Sequence, residues 1–167
     1  MNVASLSRQF SARRLFESDV GDILSLCEGN PQYYRFCPPF VTKESVLKDM
    51  SALPPRTTYD DKYYIGFFGD EKLVAVMDLI LNYPNGKTAF VGFFMLDSEE
   101  QGKGLGSKIV SECFDGLKRL GYEYVRLGSS KGNPQSEGFW RKNGFLPTGV
   151  EYDGGGYKVV VMERKIS

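Results

Sequence analysis

A chain of 167 residues is ample for one domain and small for two, and at this size roughly 70% of the unfolded surface is buried on folding. Apolar residues make up 41% and charged residues 25%, the balance of a soluble globular protein with an ordinary core. The 21 basic and 21 acidic side chains cancel, which leaves no electrostatic footprint for nucleic acid, and no run approaches the ~20 apolar residues that span a bilayer.

There is no histidine, which excludes Ser-His-Asp and Cys-His catalysis and leaves no basis for a zinc site. The three cysteines, Cys27, Cys37 and Cys113, match no metal-ligand spacing. Their odd number argues against a disulfide framework and for a reducing, cytoplasmic compartment.

The first fourteen residues carry Arg8, Arg13 and Arg14 with several serines and no acid, a composition shared with transit peptides. The same stretch also fits a first strand over Gln9 to Phe16, leading into a helix capped by Ser18 or Asp19, and that reading is preferred. Val20, Ile23, Leu24 and Cys27 then recur at helical spacing after Ser18-Asp19, and Gly29-Asn30-Pro31 ends the helix. Thr42 is placed to cap a second helix with Val46, Leu47, Met50 and Leu53 on its apolar stripe, stopped by Pro54-Pro55.

The period then changes. Tyr63 to Phe68, Leu73 to Leu81 and Thr88 to Leu96 are rich in β-branched, aromatic and other apolar residues. Gly69-Asp70 and Pro84-Asn85-Gly86 separate them with turn chemistry, so three antiparallel strands are expected. Ser107 to Leu120 is an amphipathic helix with Gly121 beyond its end, and Cys113 falls on its apolar face. Tyr124 to Leu127 reads as a short strand. Asn133-Pro134 opens a last helix that Gly144 closes. Phe145 to Val150 and Tyr157 to Glu163 read as closing strands around Asp153-Gly154-Gly155-Gly156. The predicted fold is a single domain over residues 1–167 of mixed α/β (α+β) class, a central mostly antiparallel sheet with helices on both faces.

The chemistry concentrates between the strand ending at Leu96 and the helix starting at Ser107, in Gln101-Gly102-Lys103-Gly104-Leu105-Gly106. A helix start presents unpartnered backbone N–H groups and the positive end of the macrodipole. Glycines at 102, 104 and 106 let an anion approach those groups, and Lys103 adds a point charge. The inference is an anion site of pyrophosphate type; a tight turn with no ligand is the other reading. The Walker A pattern is not matched, because no Gly-Lys-Ser/Thr closes the loop, and the Rossmann fingerprint fails at Ser107.

Gln101-x-x-Gly104-x-Gly106 between an apolar strand and an amphipathic helix resembles the acetyl-CoA loop of the GNAT N-acetyltransferases. The likeness extends to Asn133 and to the segment Phe139-Trp140-Arg141-Lys142-Asn143-Gly144-Phe145, and the order of elements matches over nearly the whole chain. The resemblance implies transfer of an acetyl group from acetyl-CoA to a primary amine of a small molecule or peptide. It implies backbone pairing of Met95 and Leu96 with pantetheine and pyrophosphate binding by the amides from Gly102 to Ser107, Leu105 included. Asn133 would contact pantetheine from the other side, and Phe139 and Trp140 would line the thiol end. Tyr33 and Tyr34 lie in the connection between the two N-terminal helices, where the family shapes its acceptor pocket. A homodimer is common among the proteins it resembles, although no residue here marks an interface.

A lysine-like amine has a pKa of ~10.4 and must lose a proton to attack a thioester. Without histidine the base is a carboxylate, a tyrosine or a water chain. Asp78, which interrupts an apolar strand, is the candidate; strand alternation equally allows it to face away from the site. Asp60-Asp61 and Glu99-Glu100 read as solvated loop charges. The family often has Tyr where Trp140 stands, as proton donor to the departing thiolate, and indole cannot fill that role. Tyr152, Tyr157 or water are the substitutes. Loss of that donor would leave a second reading, a non-catalytic acyl-CoA-binding module; a nucleotide-binding protein is a third.

Overall fold

The computed structural model describes residues 1–167. The apolar, β-rich middle of the chain forms an antiparallel meander of β2 (Lys62–Gly69), β3 (Lys72–Ile80) and β4 (Thr88–Leu96), with β1 (Ser11–Arg14) antiparallel along the free edge of β2. β5 (Tyr124–Ser130) returns parallel to β4, and β7 (Lys158–Lys165) lies between β5 and the edge strand β6 (Leu146–Asp153). The result is one seven-stranded sheet in the order β1-β2-β3-β4-β5-β7-β6, a mixed α/β fold as expected.

Helices α1 (Val20–Glu28), α2 (Pro31–Phe36) and α3 (Lys43–Ser51) cover one face, and α4 (Leu105–Arg119) and α5 (Pro134–Lys142) the other. The alternation of strand side chains divides the core accordingly. Ile65, Met77, Leu79 and Val91 pack with Ile109, Val110, Cys113 and Leu117 of α4. Tyr64, Val76 and Met95 pack with Ile23 and Leu26 of α1 and Val46 of α3.

Two irregularities in the sheet make room for a site. β4 and β5 pair only from Thr88↔Tyr124 to Val91↔Leu127, after which both strands continue without facing one another. At the same level Asp78 opposes Phe93 while Leu79 opposes Val91, so Gly92 is an extra residue bulging from β4. The slot that opens there passes through the sheet.

Three expectations are adjusted. The N-terminal segment is neither a presequence-like coil nor a strand from Gln9: Val3–Leu6 forms a 3-10 turn that buries Val3 and Leu6, and the strand begins at Ser11. The segment holding Tyr33 and Tyr34 is a short helix, with Pro31 at its first position, rather than a connection. Asp19 does not cap α1 through its side chain; its carboxylate accepts from Arg13 and from the Phe16 N–H. No helix is long and apolar enough to cross a membrane.

Candidate active site

The slot between β4 and β5 widens into a cleft of about 410 Å³. One wall is the glycine loop and the start of α4. Gly102 and Gly104 have φ of +75° and +78°, a left-handed backbone that glycine adopts without a Cβ clash. Gly104 sits at the N-cap with no side chain to cap the helix. None of the N–H groups from Gly102 to Ser107 finds an acceptor within the chain, and α4 adds its dipole behind them. Buried Gly106 lets the helix start meet Phe139: a Cβ there would come within 3.1 Å of the ring. Asn143 donates to the Ser107 hydroxyl at 3.1 Å, tying the end of α5 to the start of α4.

Gly102, Gly104, Leu105, Gly106 and Ser107 all line the cleft, with Gln101 at its end. Lys103 does not: its ammonium is turned outward, 3.4 Å from Glu100. Gln101 is a strut. Its amide donates to the Leu96 carbonyl and to Asn30, and its oxygen accepts from Gln135, so the loop, β4 and α5 are linked by one side chain.

Along β4, Asp97 donates its N–H to Val74 of β3, which sets the alternation of the strand before it. Met95 therefore spends its backbone groups on β3, while Phe94 and Leu96 turn theirs toward the slot. Of the expected pair Met95 and Leu96, only Leu96 therefore turns its backbone toward the slot, and Phe94 is the second residue that does so. Of these, the Leu96 carbonyl is already taken by Gln101 and Asn30. The side chains alternate in the opposite sense: Met95 is buried against α1, and Phe94 stacks on Phe139 with ring centres 5.7 Å apart.

Opposite β4, Asn133 caps α5 by accepting from the Ser136 N–H at 3.2 Å, and its Nδ2 makes no bond within the chain. Phe139 and Trp140 line the cleft together, at 4.8 Å between rings. Trp140 is otherwise a core residue, buried against Phe145 at 5.2 Å.

On the α1–α3 side of the sheet the cleft ends in Tyr33, Cys37, Tyr152 and Tyr157. Tyr33 packs edge-on against Phe93 at 5.8 Å, and the Cys37 thiol donates to the Tyr157 hydroxyl at 3.1 Å. Tyr152 reaches across β7: its hydroxyl lies 2.9 Å from where a Cβ on Gly128 would stand, just past the last paired residue of β5. Burial pushes the Tyr152 phenol above its usual range, and burial with the Cys37 neighbourhood pushes Tyr33 and Tyr157 further. All three are neutral hydrogen-bond donors. Tyr34 does not reach the cleft; it turns toward Phe40, 5.2 Å away.

No Asp or Glu side chain lines the cleft. Asp78 stands behind β4, where both carboxylate oxygens accept from the Lys62 ammonium at 2.9 Å. Burial raises its pKa to about 6 even against the attraction of Lys62. The bulge explains the fit: a Cβ at Gly92 would lie 2.6 Å from Asp78 Oδ2. The expected base Asp78 thus does not line the cleft and is engaged by Lys62 in a buried ion pair beside the bulge. Lys62, its partner, carries no sequence signal; as the first residue of β2 it reads as a solvated strand end. No group of three or more His, Cys, Asp or Glu residues is arranged to hold a metal.

The sequence model of the acetyltransferase (GNAT) family matches residues 29–145, more than half of the chain, and spans the loop, β4, Asn133 and Phe139. The chain belongs to the GNAT acetyltransferases. No curated protein sequence matches it significantly. Solved structures reproduce the fold of this GNAT enzyme over almost its full length. An acetyltransferase from Thermus thermophilus superposes with a TM-score of 0.76 at 20% identity, covering 99% of both chains. A Salmonella typhimurium acetyltransferase that modifies the N-terminal serine of a 50S ribosomal subunit protein gives 0.74 at 20%, covering 97% of this chain and 98% of its own. The PaiA N-acetyltransferase of Thermoplasma acidophilum, in complex with coenzyme A, gives 0.68 at 21%, covering 95% and 99%. The unpaired amides at the start of α4, with the helix dipole behind them, have the arrangement of an anion site.

Proposed function

We propose that the protein transfers the acetyl group of acetyl-CoA to a primary amine of a small molecule or peptide by direct attack. The observation that carries this reading is the continuous cleft: unpaired amides of the glycine loop at one end, an aromatic chamber at the other, and the sheet opening between them. Pyrophosphate is held by the amides from Gly102 to Ser107. Pantetheine runs through the slot past Asn133 and the free backbone groups of β4. The thioester then emerges beside Gly92 on the side of Tyr33. Among similar structures are the enzyme that modifies an N-terminal serine and a spermidine N-acetyltransferase chimera, both acting on amines.

The amine nitrogen bonds to the thioester carbon, and the resulting oxyanion is met by a slot-facing N–H of β4. The C–S bond then breaks, the nitrogen loses a proton and the thiolate gains one. No carboxylate is at hand to take the amine proton. A chamber of neutral phenols and a thiol disfavours the ammonium form by desolvation, so the amine loses its proton to water before attack. Tyr152 is the donor to the thiolate. Its hydroxyl stands at the slot and makes no bond within the chain, and its raised pKa keeps it protonated.

Calorimetric titration with acetyl-CoA, ATP and NAD, followed by an amine screen for released thiol, tests this. Micromolar binding of acetyl-CoA alone, with thiol release that requires an amine, supports the reading. Tight binding with no transfer to any amine would make the protein an acyl-CoA-binding module.

A further inference from the structure

The far end of the cleft has a composition that restricts its substrate. Its walls are Tyr33, Phe93, Tyr157 and Cys37, and the lining contains no acidic side chain. The acids nearest in the fold are committed or turned out. Asp78 is bound by Lys62 behind β4, and Asp153 accepts from the amides of Gly155 and Gly156 at the β6–β7 hairpin tip. Asp49 on α3 lies outside the lining, although its charge bears on Tyr34 and Tyr157. A second ammonium group carried into this chamber would be stripped of water with no counter-charge in contact with it.

Behind Tyr33 the aromatic packing continues outward, outside the cleft lining. Phe93 meets Tyr33 at 5.8 Å, Tyr33 meets Tyr34 at 5.0 Å, and Tyr34 meets Phe40 at 5.2 Å, each edge-on. Phe40 is 48% exposed, so a run of rings leads along α2 from the slot to the surface. Ring edges and faces in this arrangement receive another ring at 4.5–7 Å, and a single ammonium over a ring face.

We propose that the acceptor is a monoamine carrying an aromatic or apolar body, held on the Phe93–Tyr33 wall with its nitrogen turned toward the slot beside Gly92, and that polyamines are excluded. This rests on the acetyl-transfer reading above. The reaction balances as described there: the N–C bond forms, the C–S bond breaks, and the amine proton leaves to water.

The test measures thiol release with 2-phenylethylamine and with spermidine, each with saturating acetyl-CoA. The expected kcat/KM for 2-phenylethylamine exceeds that for spermidine by 100-fold or more. Cys37→Asp places a carboxylate at the chamber and is expected to shift the ratio at least tenfold toward spermidine. Titration of 2-phenylethylamine into the protein saturated with CoA reads the same site without turnover, and is expected to give a binding heat that Tyr33→Ala removes. Equal or better use of spermidine by the unaltered protein overturns the proposal, as does transfer to neither amine while acetyl-CoA binds. Failure of acetyl-CoA itself to bind would instead remove the acetyl-transfer reading beneath it.

Discussion

Replacing Gly104 by Asp and, separately, by Asn separates the charge of the glycine loop from its shape. Gly104 has φ +78°, and a Cβ built there meets nothing within 4 Å. Asn and Asp are the L-residues that best tolerate this region, so both variants should fold with a similar loss of about 1 kcal/mol. They differ by one negative charge directed at the pyrophosphate site. Two unit charges about 4 Å apart repel by about 1 kcal/mol in a water-like medium and about 4 kcal/mol near a protein surface. An intermediate value of about 2.7 kcal/mol corresponds to ~100-fold in affinity. The expected result is acetyl-CoA binding by Gly104→Asn within tenfold of the unaltered protein and by Gly104→Asp some 100-fold weaker than that. The gap should narrow as salt is raised from 0.05 to about 0.5 M, as screening requires. Calorimetry at two salt concentrations reads both quantities. Equal affinities for the Asp and Asn variants at low salt would refute the pyrophosphate assignment.

Four further outcomes follow from the geometry. Asp78→Asn is expected to keep kcat within about threefold, because the carboxylate does not line the cleft; a loss above 100-fold would return Asp78 to the role of base. The same group has a pKa of about 6 in the fold against ~3.9 unfolded, so the folded state holds its proton more tightly. The stability it contributes is present at low pH and declines as pH rises from about 4 through 6, a slope that denaturation series should show flattened in Asp78→Asn. Tyr152→Phe is expected to lower kcat 10- to 100-fold with acetyl-CoA affinity unchanged, and undiminished turnover would assign thiolate protonation to water. Gly92→Ala drives a methyl group to 2.6 Å from Asp78 Oδ2, held in place by Lys62; a stability loss of about 1–3 kcal/mol is expected, with kcat falling through displacement of β4. An unchanged melting temperature would mean that the bulge adjusts freely.

Much of this was legible before the structure because it is local. Gly104 before an amphipathic run, Asn133-Pro134 at a helix start, and Gly144 at its stop each act over a single turn of backbone, and each stands where expected, although α4 begins at Leu105 rather than Ser107 and so takes in Gly106. The parts that were not legible depend on pairing between distant segments. Which face Asp78 takes depends on the register of β3 against β4 and on the bulge at Gly92. Lys62 becomes its partner only because β2 lies alongside β3. Tyr152 and Tyr157 were in view as substitutes for the residue displaced by Trp140, but their reach into the cleft needs β7 inserted between β5 and β6. Tyr33 and Tyr34 are adjacent in sequence, yet only one reaches the cleft, because neighbours on α2 project about 100° apart.

The account turns on acetyl-CoA entering the β4–β5 slot with its pyrophosphate on the start of α4. Amide NMR of the isotopically labelled protein during titration with acetyl-CoA tests that directly. The predicted result is saturable shifts centred on the amides of Gly102 to Ser107 and on Phe94 and Leu96. Shifts confined to other parts of the chain, or none at millimolar acetyl-CoA, would contradict it.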